Sequence, residues 1–462
     1  MRQRMARGYT TNMTEGSAAG LLLRFMLPLL AGNIFQQVYS AADMVIVGRF
    51  IGADALAAVG ATNSLNFLFF SLCNGLAGGL GILVAQAFGA NRPDTVKRLI
   101  VNGAYLMAAG AAAMGALGFA LAGRVLALVN TPENIIGDSV VYMRLMCLGV
   151  IAVSLYNGVS AVLRGLGDSR TPLFFLVVSS ILNVLLDLVF ICAFGWGVGG
   201  AAAATILSQL VSALGCIAYA LRHNPMFLFD RSSWRWDGTL IGRCCRLGVP
   251  LAAQSSMIAL SLVALQSVVN GFGSVVGAAF TATSRVEVMA QQPFNSLFAA
   301  LATFTGQNIG AGRQERVRRG FWQAAGLAMG FAALMTLLFE AFSPQIMGLF
   351  VDAGEASEVI AYGARGLRLT GWFLAPLGMI YVTRGILNGA GDSAYSLISG
   401  ACEMTGRVAF PRPLTRLPAV GAMGIWLGTA LTWTLVAAAG LIRYFSGAWR
   451  KKAAMQGAGN RE

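Results

Sequence analysis

The chain has 462 residues, of which 56% are hydrophobic and 11% are charged, and its formal net charge is +14. Soluble domains contain roughly 25% charged residues, so this composition excludes an ordinary soluble protein. The 57 glycines suit helices that pack closely in lipid, where small residues let backbones approach. The sequence therefore predicts an all-α polytopic membrane protein.

Apolar runs divide the chain into twelve predicted transmembrane helices. A helix needs roughly 20 apolar residues to cross a bilayer, and the runs at 99–121 and 173–194 exceed this length. The predicted spans are 22–47, 55–82, 98–121, 138–162, 171–193, 199–221, 247–271, 277–304, 320–341, 362–386, 394–411 and 421–445. The first apolar stretch is too long for a signal-peptide core, so it is interpreted as the first span.

Basic residues lie in alternate loops of this arrangement. They are Arg2, Arg4 and Arg7, then Arg92, Lys97 and Arg98, then Arg164 and Arg170, the stretches 222–246 and 313–319, and finally Arg450, Lys451 and Lys452. The intervening loops contain almost no Lys or Arg, and one of them carries Asp352, Glu355 and Glu358. This positive-inside pattern predicts a plasma (inner) membrane protein with both termini cytoplasmic. The net charge is thereby explained by topology and by contact with anionic lipid, and nucleic-acid binding is disfavoured.

Cysteine and histidine usage argues against a metal site. Five of the seven cysteines fall inside apolar runs, no C-x-x-C pair exists, and His223 is the only histidine. A His/Cys metal site is therefore not expected.

The two halves of the chain repeat each other at a spacing of 221 to 224 residues. Gln86-Ala-Phe-Gly-Ala-Asn-Arg92 matches Gln307-Asn-Ile-Gly-Ala-Gly-Arg313, and Arg164-Gly-Leu-Gly-Asp-Ser169 matches Asn388-Gly-Ala-Gly-Asp-Ser393. Each copy holds six spans, an even number, so the halves should share one orientation and be related by a pseudo-two-fold axis along the membrane normal.

This repeat predicts five segments. They are a cytoplasmic N-terminal segment at 1–21, an N-terminal six-helix lobe at 22–221, a cytoplasmic linker at 222–246, a C-terminal six-helix lobe at 247–445 and a cytoplasmic tail at 446–462. Asp168 and Asp392 of the two Gly-Asp-Ser stretches fall in short loops and are interpreted as structural. In the first, Thr171 is expected to cap the next helix with Pro172 at its first position.

The duplicated twelve-span layout, Gln307-Asn-Ile-Gly-Ala-Gly312, the two Gly-Asp-Ser stretches and Gly197-Val-Gly-Gly200 before span six resemble the multidrug and toxic compound extrusion (MATE) transporters. The resemblance covers about residues 15 to 447. It implies two six-helix lobes around a V-shaped cleft. It also implies export of drug-like, often cationic, molecules driven by inward flow of protons or sodium.

Four polar residues of the N-terminal half lie where lipid or packed helix is expected. Asp43 is deep in span one, Asn183 and Asp187 are one helical turn apart in span five, and Thr205 is in span six. Ionisable groups at mid-membrane cost roughly 2.5–3.5 kcal/mol on insertion scales, so they need a partner or a function. Their oxygens suit Na⁺, and the carboxylates can carry a proton. The alternative is that both acids satisfy buried donors such as Arg144.

The second half lacks this cluster. The counterparts of Asp43, Asn183, Asp187 and Thr205 are, in order, Leu265, Arg407, Pro411 and Thr429. In the DinF-like branch of the MATE family this N-terminal pattern of Asp, Asn, Asp and Thr is the cation-coupling site, and the resemblance assigns that role to these four residues.

Acidic residues of the second half follow another pattern. The NorM-like branch has a Glu eight residues after the span-seven proline, whereas Ile258 stands there in this chain. Glu403 and Arg407 are spaced for an i to i+4 ion pair. Glu287, near Arg285, is left open between cleft lining and structure. The proline-rich stretch 410–418 is equally open: either span eleven ends near Ala409 or the local sequence is atypical.

The leading functional hypothesis is a polyspecific antiporter that uses H⁺ or Na⁺ and no cofactor. The alternatives are a lipid-linked sugar flippase of the same superfamily and, least favoured, an intramembrane enzyme. Expected partners are small-molecule substrates and membrane lipids, and the chain is expected to be a monomer. Met and aromatic side chains suit a cleft that adapts to different molecules, and the candidate lining residues are Tyr156, Met257, Glu287, Met289 and Phe294.

Overall fold

A computed structural model describes residues 11–350 and 357–450, and its regular elements within those stretches are helical. The helices are α1 (Ala18–Phe50), α2 (Ala53–Gly89), α3 (Pro93–Leu128), α4 (Glu133–Gly165), α5 (Arg170–Asp187), α6 (Gly197–His223), α7 (Gly238–Asn270), α8 (Gly273–Gly310), α9 (Gln314–Gly348), α10 (Ser357–Trp372), α11 (Leu374–Gly389), α12 (Ser393–Ala409), α13 (Pro411–Thr415) and α14 (Gly424–Phe445). A π-helical turn, Leu188–Ala193, continues α5, and 3₁₀ turns lie at Pro225–Phe227, Arg231–Trp234 and Gly421–Met423.

The predicted spans fall on these helices. Nine helical segments of the described residues are long and apolar enough to cross a bilayer, judged by length and composition. The predicted span 362–386 consists of two helices, α10 and α11, and the short α13 follows α12. With α10 and α11 counted as one span, the helices give the expected twelve-span, two-repeat architecture. Parts of the predicted charge pattern lie outside the described residues, namely Arg2, Arg4, Arg7, Asp352, Glu355, Lys451 and Lys452.

The repeated motifs form repeated turns. Asn91 and Gly312 stand at matching positions between helices, with φ of 55° and 71°. Gly167 and Gly391 repeat the pattern with φ of 89° and 81°. Glycine adopts this left-handed backbone most readily, and asparagine is among the residue types that adopt it next most readily. The asparagine and the glycines of the repeated motifs therefore allow the chain to reverse direction between helices.

The two Gly-Asp-Ser aspartates are both engaged in the folded structure. The expectation that Thr171 caps α5 is wrong, because α5 already begins at Arg170 and Asp168 supplies the acceptor. Asp168 Oδ1 accepts from the backbone N–H groups of Arg170 and Thr171, both at 3.0 Å, and Oδ2 accepts from the Thr171 hydroxyl at 2.6 Å. Asp392 is fully buried and instead accepts from Arg443, with Nε at 2.8 Å and Nη2 at 3.2 Å. The structural interpretation of both residues agrees with these contacts.

The proline-rich stretch resolves in favour of a short span eleven. The helix α12 ends at Ala409, and Pro411 occupies the first position of α13. Proline is tolerated there because the first N–H groups of a helix have no intrahelical acceptor. Pro411 also packs on α14, since a Cβ built on Gly428 would lie 2.8 Å from Pro411 Cγ.

One helix of the first repeat is continuous where its counterpart is broken. A shift of 224 residues carries α4 onto the stretch 357–389, which holds α10 and α11 separated at Phe373. Backbone groups freed by a break in lipid need new partners. The carbonyl of Gly371 accepts from the Thr336 hydroxyl at 2.7 Å, and the Phe373 N–H donates to the Thr370 carbonyl at 3.0 Å. These contacts stabilise the break.

The chain divides into two compact units. The N-terminal unit contains Leu27–Ala252 and the described residues before Thr14. The C-terminal unit contains Thr14–Met26 and the described residues from Ala253 onward. The division falls within α1 and α7, whereas the lobes at 22–221 and 247–445 stay a prediction from the repeat.

Candidate functional site

Two carboxyl groups of the N-terminal unit lie against each other. Asp187, at the end of α5, is fully buried, and Asp43 of α1 is half-buried. Their carboxyl groups are close enough to interact electrostatically. Neither makes an ion pair with a basic side chain in residues 11–350 and 357–450, and both Asp187 oxygens and Asp43 Oδ1 are buried without a hydrogen-bond partner there. Because ionised carboxylates only accept hydrogen bonds, one between the two would require a proton.

Asn183 and Thr205 complete the group that the sequence singles out. Asn183 lies one turn before Asp187 on α5 and is buried. Its Nδ2 donates to Thr205 Oγ1 at 3.4 Å, and the Thr205 hydroxyl donates to the Ala201 carbonyl at 3.0 Å. Asn183 Oδ1 has no donor in the described part of the chain. The structure therefore brings all four residues together from α1, α5 and α6, while their coupling role stays a prediction.

The helix geometry changes directly after Asp187. The six-residue π-helical turn Leu188–Ala193 begins there and is followed by Trp196, whose ring stacks on Phe190 with centroids 4.9 Å apart. π-helical turns inside helices frequently lie at functional sites because they displace the local hydrogen-bond ladder. Asp187 thus occupies the junction between two helical geometries.

A cavity of about 380 Å³ lies inside the N-terminal unit beside this group. Thr205 lines it, as does Tyr39, which is one helical turn before Asp43 on α1. Its polar lining includes five carboxamide side chains, those of Asn33, Gln36, Asn74, Asn157 and Gln209. Its volume is within the range of small-molecule sites, and its amides offer both donors and acceptors.

Arg164 was missed by the sequence interpretation, which assigned it to a cytoplasmic loop. It lies at the end of α4, lines the same cavity and forms no ion pair with an acidic residue in the described stretches. The predicted lining residue Tyr156 also lines this cavity, and its hydroxyl donates to the Pro172 carbonyl at 3.0 Å. The sequence did contain a signal for this cavity, because several amide side chains lie inside apolar spans, where each needs a hydrogen-bond partner.

The four remaining predicted lining residues belong to the C-terminal unit and differ in exposure. Met289 is 58% exposed, whereas Phe294 is fully buried and stacks on Tyr381, so this ring packs within the unit. Met257 is partly buried, and its sulfur lies 3.0 Å from where a Cβ on Gly400 would be. Glu287 is buried beside Thr370 and Arg407, and its Oε1 has no donor among the described residues. A cleft role for these residues stays a prediction.

One buried acid of the C-terminal unit, Glu403, contacts two arginines. Arg407 Nη2 lies 3.0 Å from Glu403 Oε1, which confirms the expected i to i+4 pair. Arg384 adds a contact that the sequence did not predict, with Nη2 at 2.6 Å from Glu403 Oε2. Arg384 also donates to Ser399 at 2.9 Å and Arg407 to Ser261 at 3.4 Å.

The alternative for the aspartates does not agree with the structure. Arg144, proposed as a donor to Asp43 and Asp187, is exposed, and its guanidinium lies over the Phe119 ring at 5.2 Å. Among the described residues there is also no group of three or more His, Cys, Asp or Glu side chains placed to hold a metal ion.

Comparison with known proteins decides the family. The sequence profile of the MatE family matches residues 28–189 and again 250–410. The chain belongs to the MatE family. Both repeats of this MATE protein are thus recognised separately, each over most of its length.

Several of its relatives are probable multidrug resistance proteins. YoeA of Bacillus subtilis, a probable multidrug resistance protein, is 30% identical over 443 residues that cover 93% of each chain. YpnP of the same organism, also a probable multidrug resistance protein, is 28% identical and covers 95% of this chain and 97% of its own. A solved outward-facing multidrug resistance MATE transporter shares the fold, with a TM-score of 0.88 and 23% identity over 96% of this chain and 99% of that chain. The chain is a transporter of the MATE family and not an enzyme.

Proposed function

We propose that this MATE protein exports drug-like, often cationic, small molecules by antiport with H⁺. It works as a monomer in the plasma (inner) membrane with both termini in the cytoplasm. The observation that carries the proposal is the contact between Asp43 and Asp187, two carboxyl groups without a basic partner in the described residues. Two buried negative charges are costly, so a proton or a cation that binds there is stabilised.

The exchange follows from the neighbourhood of the carboxyl pair. Thr205 belongs both to the polar group and to the lining of the 380 Å³ cavity, and Tyr39 lines the cavity one turn from Asp43. A cationic substrate in this cavity is attracted to the same negative charge that binds the proton. Protonation removes that attraction and favours release, which is what antiport requires.

Na⁺ is the alternative coupling ion. The carboxylates, Asn183 Oδ1 and the Thr205 hydroxyl are oxygen ligands of the kind that alkali cations accept. The close approach of Asp43 to Asp187 favours H⁺, because one proton on the pair removes the repulsion between two carboxylates.

The flippase alternative has less support. Arg384 and Arg407 are both engaged by Glu403, so neither is free to bind a pyrophosphate. Arg164 alone lines the N-terminal cavity without an acidic partner among the described residues.

Transport by the purified protein in proteoliposomes tests the proposal. We expect movement of the fluorescent cation ethidium when a pH gradient is imposed at constant Na⁺, and none when only a Na⁺ gradient is imposed. The reverse result would assign Na⁺ as the coupling ion. Equal rates in all gradients and in protein-free vesicles would contradict antiport.

A further inference from the structure

Two adjoining cavities lie beneath the linker segment of the N-terminal unit, residues 225–237. The first, about 330 Å³, is enclosed by α3, α4 and α6 and by Phe227, Phe229 and Trp234 of the segment. The second, about 420 Å³, is more open and is lined by the same three aromatic side chains together with Lys97 and Asp230. Both also share Leu221. The two cavities therefore adjoin each other along these four side chains.

The segment is held over this space by polar contacts to α3. Asn102 Nδ2 donates to the Arg235 carbonyl at 3.2 Å, and Asn102 Oδ1 accepts from the Asp237 N–H at 2.8 Å. Arg98 pairs with Asp237 at 2.5 Å, and Tyr105 donates to the Trp234 carbonyl at 3.2 Å. These contacts fix both the backbone and the side chains of the segment, which covers the two cavities.

The two adjoining cavities together form an amphipathic space. The lining of the enclosed cavity is formed almost entirely by hydrocarbon and aromatic side chains and contains no charged residue. The open cavity contains Lys97, whose Nζ lies 3.5 Å from Asp230 Oδ1, and Lys97 is 20% exposed. An ammonium group has three N–H donors, so Lys97 keeps donors for a ligand beside Asp230.

The surroundings of the open cavity are basic and aromatic. Arg222, Arg231 and Arg235 are exposed, and the rings of Trp234 and Trp236 are 56% and 67% exposed. Tryptophan is enriched at the level of lipid headgroups, and basic side chains attract anionic lipid there. Asp230 opposes this attraction, since the Ser233 hydroxyl and then Lys97 hold its pKa below the usual range. The three arginines outweigh its single charge.

We propose that this space binds one anionic phospholipid, with an acyl chain in the enclosed cavity and the phosphate at Lys97. Lipid is the amphiphile that surrounds a membrane protein, and an apolar chamber joined to a cationic opening matches its two parts. Ala104 and Leu221, which line the enclosed cavity, are exposed on the surface of the unit and provide a route for the chain. The bound lipid would connect the linker to α3, α4 and α6, whatever molecule is transported.

Native mass spectrometry of the delipidated full-length protein tests this site. We expect one phosphatidylglycerol molecule to bind more tightly than phosphatidylcholine. Ala104→Phe should remove that molecule by filling the enclosed cavity, with Ala108→Phe, one turn further along the exposed face of α3, as the matched control. Lys97→Gln should weaken binding roughly tenfold through loss of a charged hydrogen bond, with the exposed Arg319→Gln of α9 as the control.

A second measurement does not depend on the folding of a cavity-filling variant. Phosphatidylglycerol with brominated acyl chains should quench part of the tryptophan fluorescence, and Trp234→Phe should remove that part. Undiminished lipid binding in both Ala104→Phe and Lys97→Gln would overturn the proposal. Displacement of the lipid by ethidium would overturn it as well, because the space would then belong to transported molecules.

Discussion

A pair of acids in the N-terminal unit and one buried acid in the C-terminal unit have different neighbours. In the N-terminal unit, Asp43 and Asp187 contact each other without a basic partner in the described residues. In the C-terminal unit, Glu403 lies between Arg384 and Arg407 at 2.6 and 3.0 Å. A charge neutralised by neighbours on its own chain has no need of an external ion, whereas an unpaired carboxylate does. The proposed function therefore places ion exchange at Asp43 and Asp187, whereas Glu403 is interpreted as structural.

The strongest test of the comparison is Asp43→Asn. We expect gradient-driven ethidium transport to fall to the level of protein-free vesicles, because the amide cannot exchange a proton or balance a cation. The thermal unfolding temperature should change little, since no ion pair is broken. Asp138→Asn, an exposed acid at the start of α4 in the same unit, is the control and should transport like the parent protein. Normal transport by Asp43→Asn would remove Asp43 from the coupling site.

The carboxyl pair should also behave as one unit. Asp187→Asn alone should abolish most coupled transport, and the double variant Asp43→Asn/Asp187→Asn should be little worse than either single change, because residues in contact are not additive. Transport rates of all three variants, measured under one imposed pH gradient, give the interaction energy between Asp43 and Asp187. Losses that simply multiply would mean that the two residues act independently.

The opposite result is expected for Glu403→Gln. Its removal leaves two buried guanidinium groups without their carboxylate, and breaking a buried pair costs about 3–5 kcal/mol. The variant should therefore unfold at a markedly lower temperature in detergent. Glu340→Gln is the control, since Glu340 lies 3.9 Å from Arg368 in an exposed pair worth about 0–1 kcal/mol. Equal unfolding temperatures for the two variants would contradict the fixed role of Glu403.

The two Gly-Asp-Ser loops give a smaller contrast. Asp168→Asn keeps an oxygen that accepts from the N–H groups of Arg170 and Thr171, so it should cost less than about 1 kcal/mol. Asp392→Asn loses the charge that holds Arg443 and should cost about 1.5–3 kcal/mol. Thermal unfolding of both variants measures the two losses of stability. A greater loss in Asp168→Asn than in Asp392→Asn would contradict the prediction.

The smallest effect is expected for Thr205→Ala. The change removes one neutral hydroxyl near the carboxyl pair, and a neutral hydrogen bond contributes about 1 kcal/mol, or roughly fivefold in an equilibrium. Coupled transport should fall by about that factor. Its counterpart Thr429→Ala, where the hydroxyl donates only to the Ile425 carbonyl, is the matched control in the other repeat. Equal losses in the two variants would mean that Thr205 has no special role.

Much of the fold could be predicted from the sequence because lipid imposes strict rules. Apolar length located the helices, and the repeat identified the matching motifs 86–92 and 307–313, in which the structure places Asn91 and Gly312 in left-handed turns. The polar group of Asp43, Asn183, Asp187 and Thr205 was found because charged and polar side chains are rare in apolar spans.

The failures concern side chains whose environment depends on tertiary packing. Arg164 looks like one more basic loop residue, and only the packed helices show that it lines a cavity. Arg384 reaches Glu403 across 19 positions, which no helical spacing predicts. The cap of α5 also differs, because Asp168 competes successfully with Thr171 for the first N–H groups.

The break at Phe373 has a mechanical consequence. The unbroken α4 is expected to move as one rigid body, since each of its turns is hydrogen-bonded to the next. Its counterpart, α10 with α11, has a joint where the ladder is replaced by the contacts of Gly371 and Phe373. Bending of the second repeat is therefore expected at Phe373, whereas α4 of the first repeat is expected to move as one rigid helix.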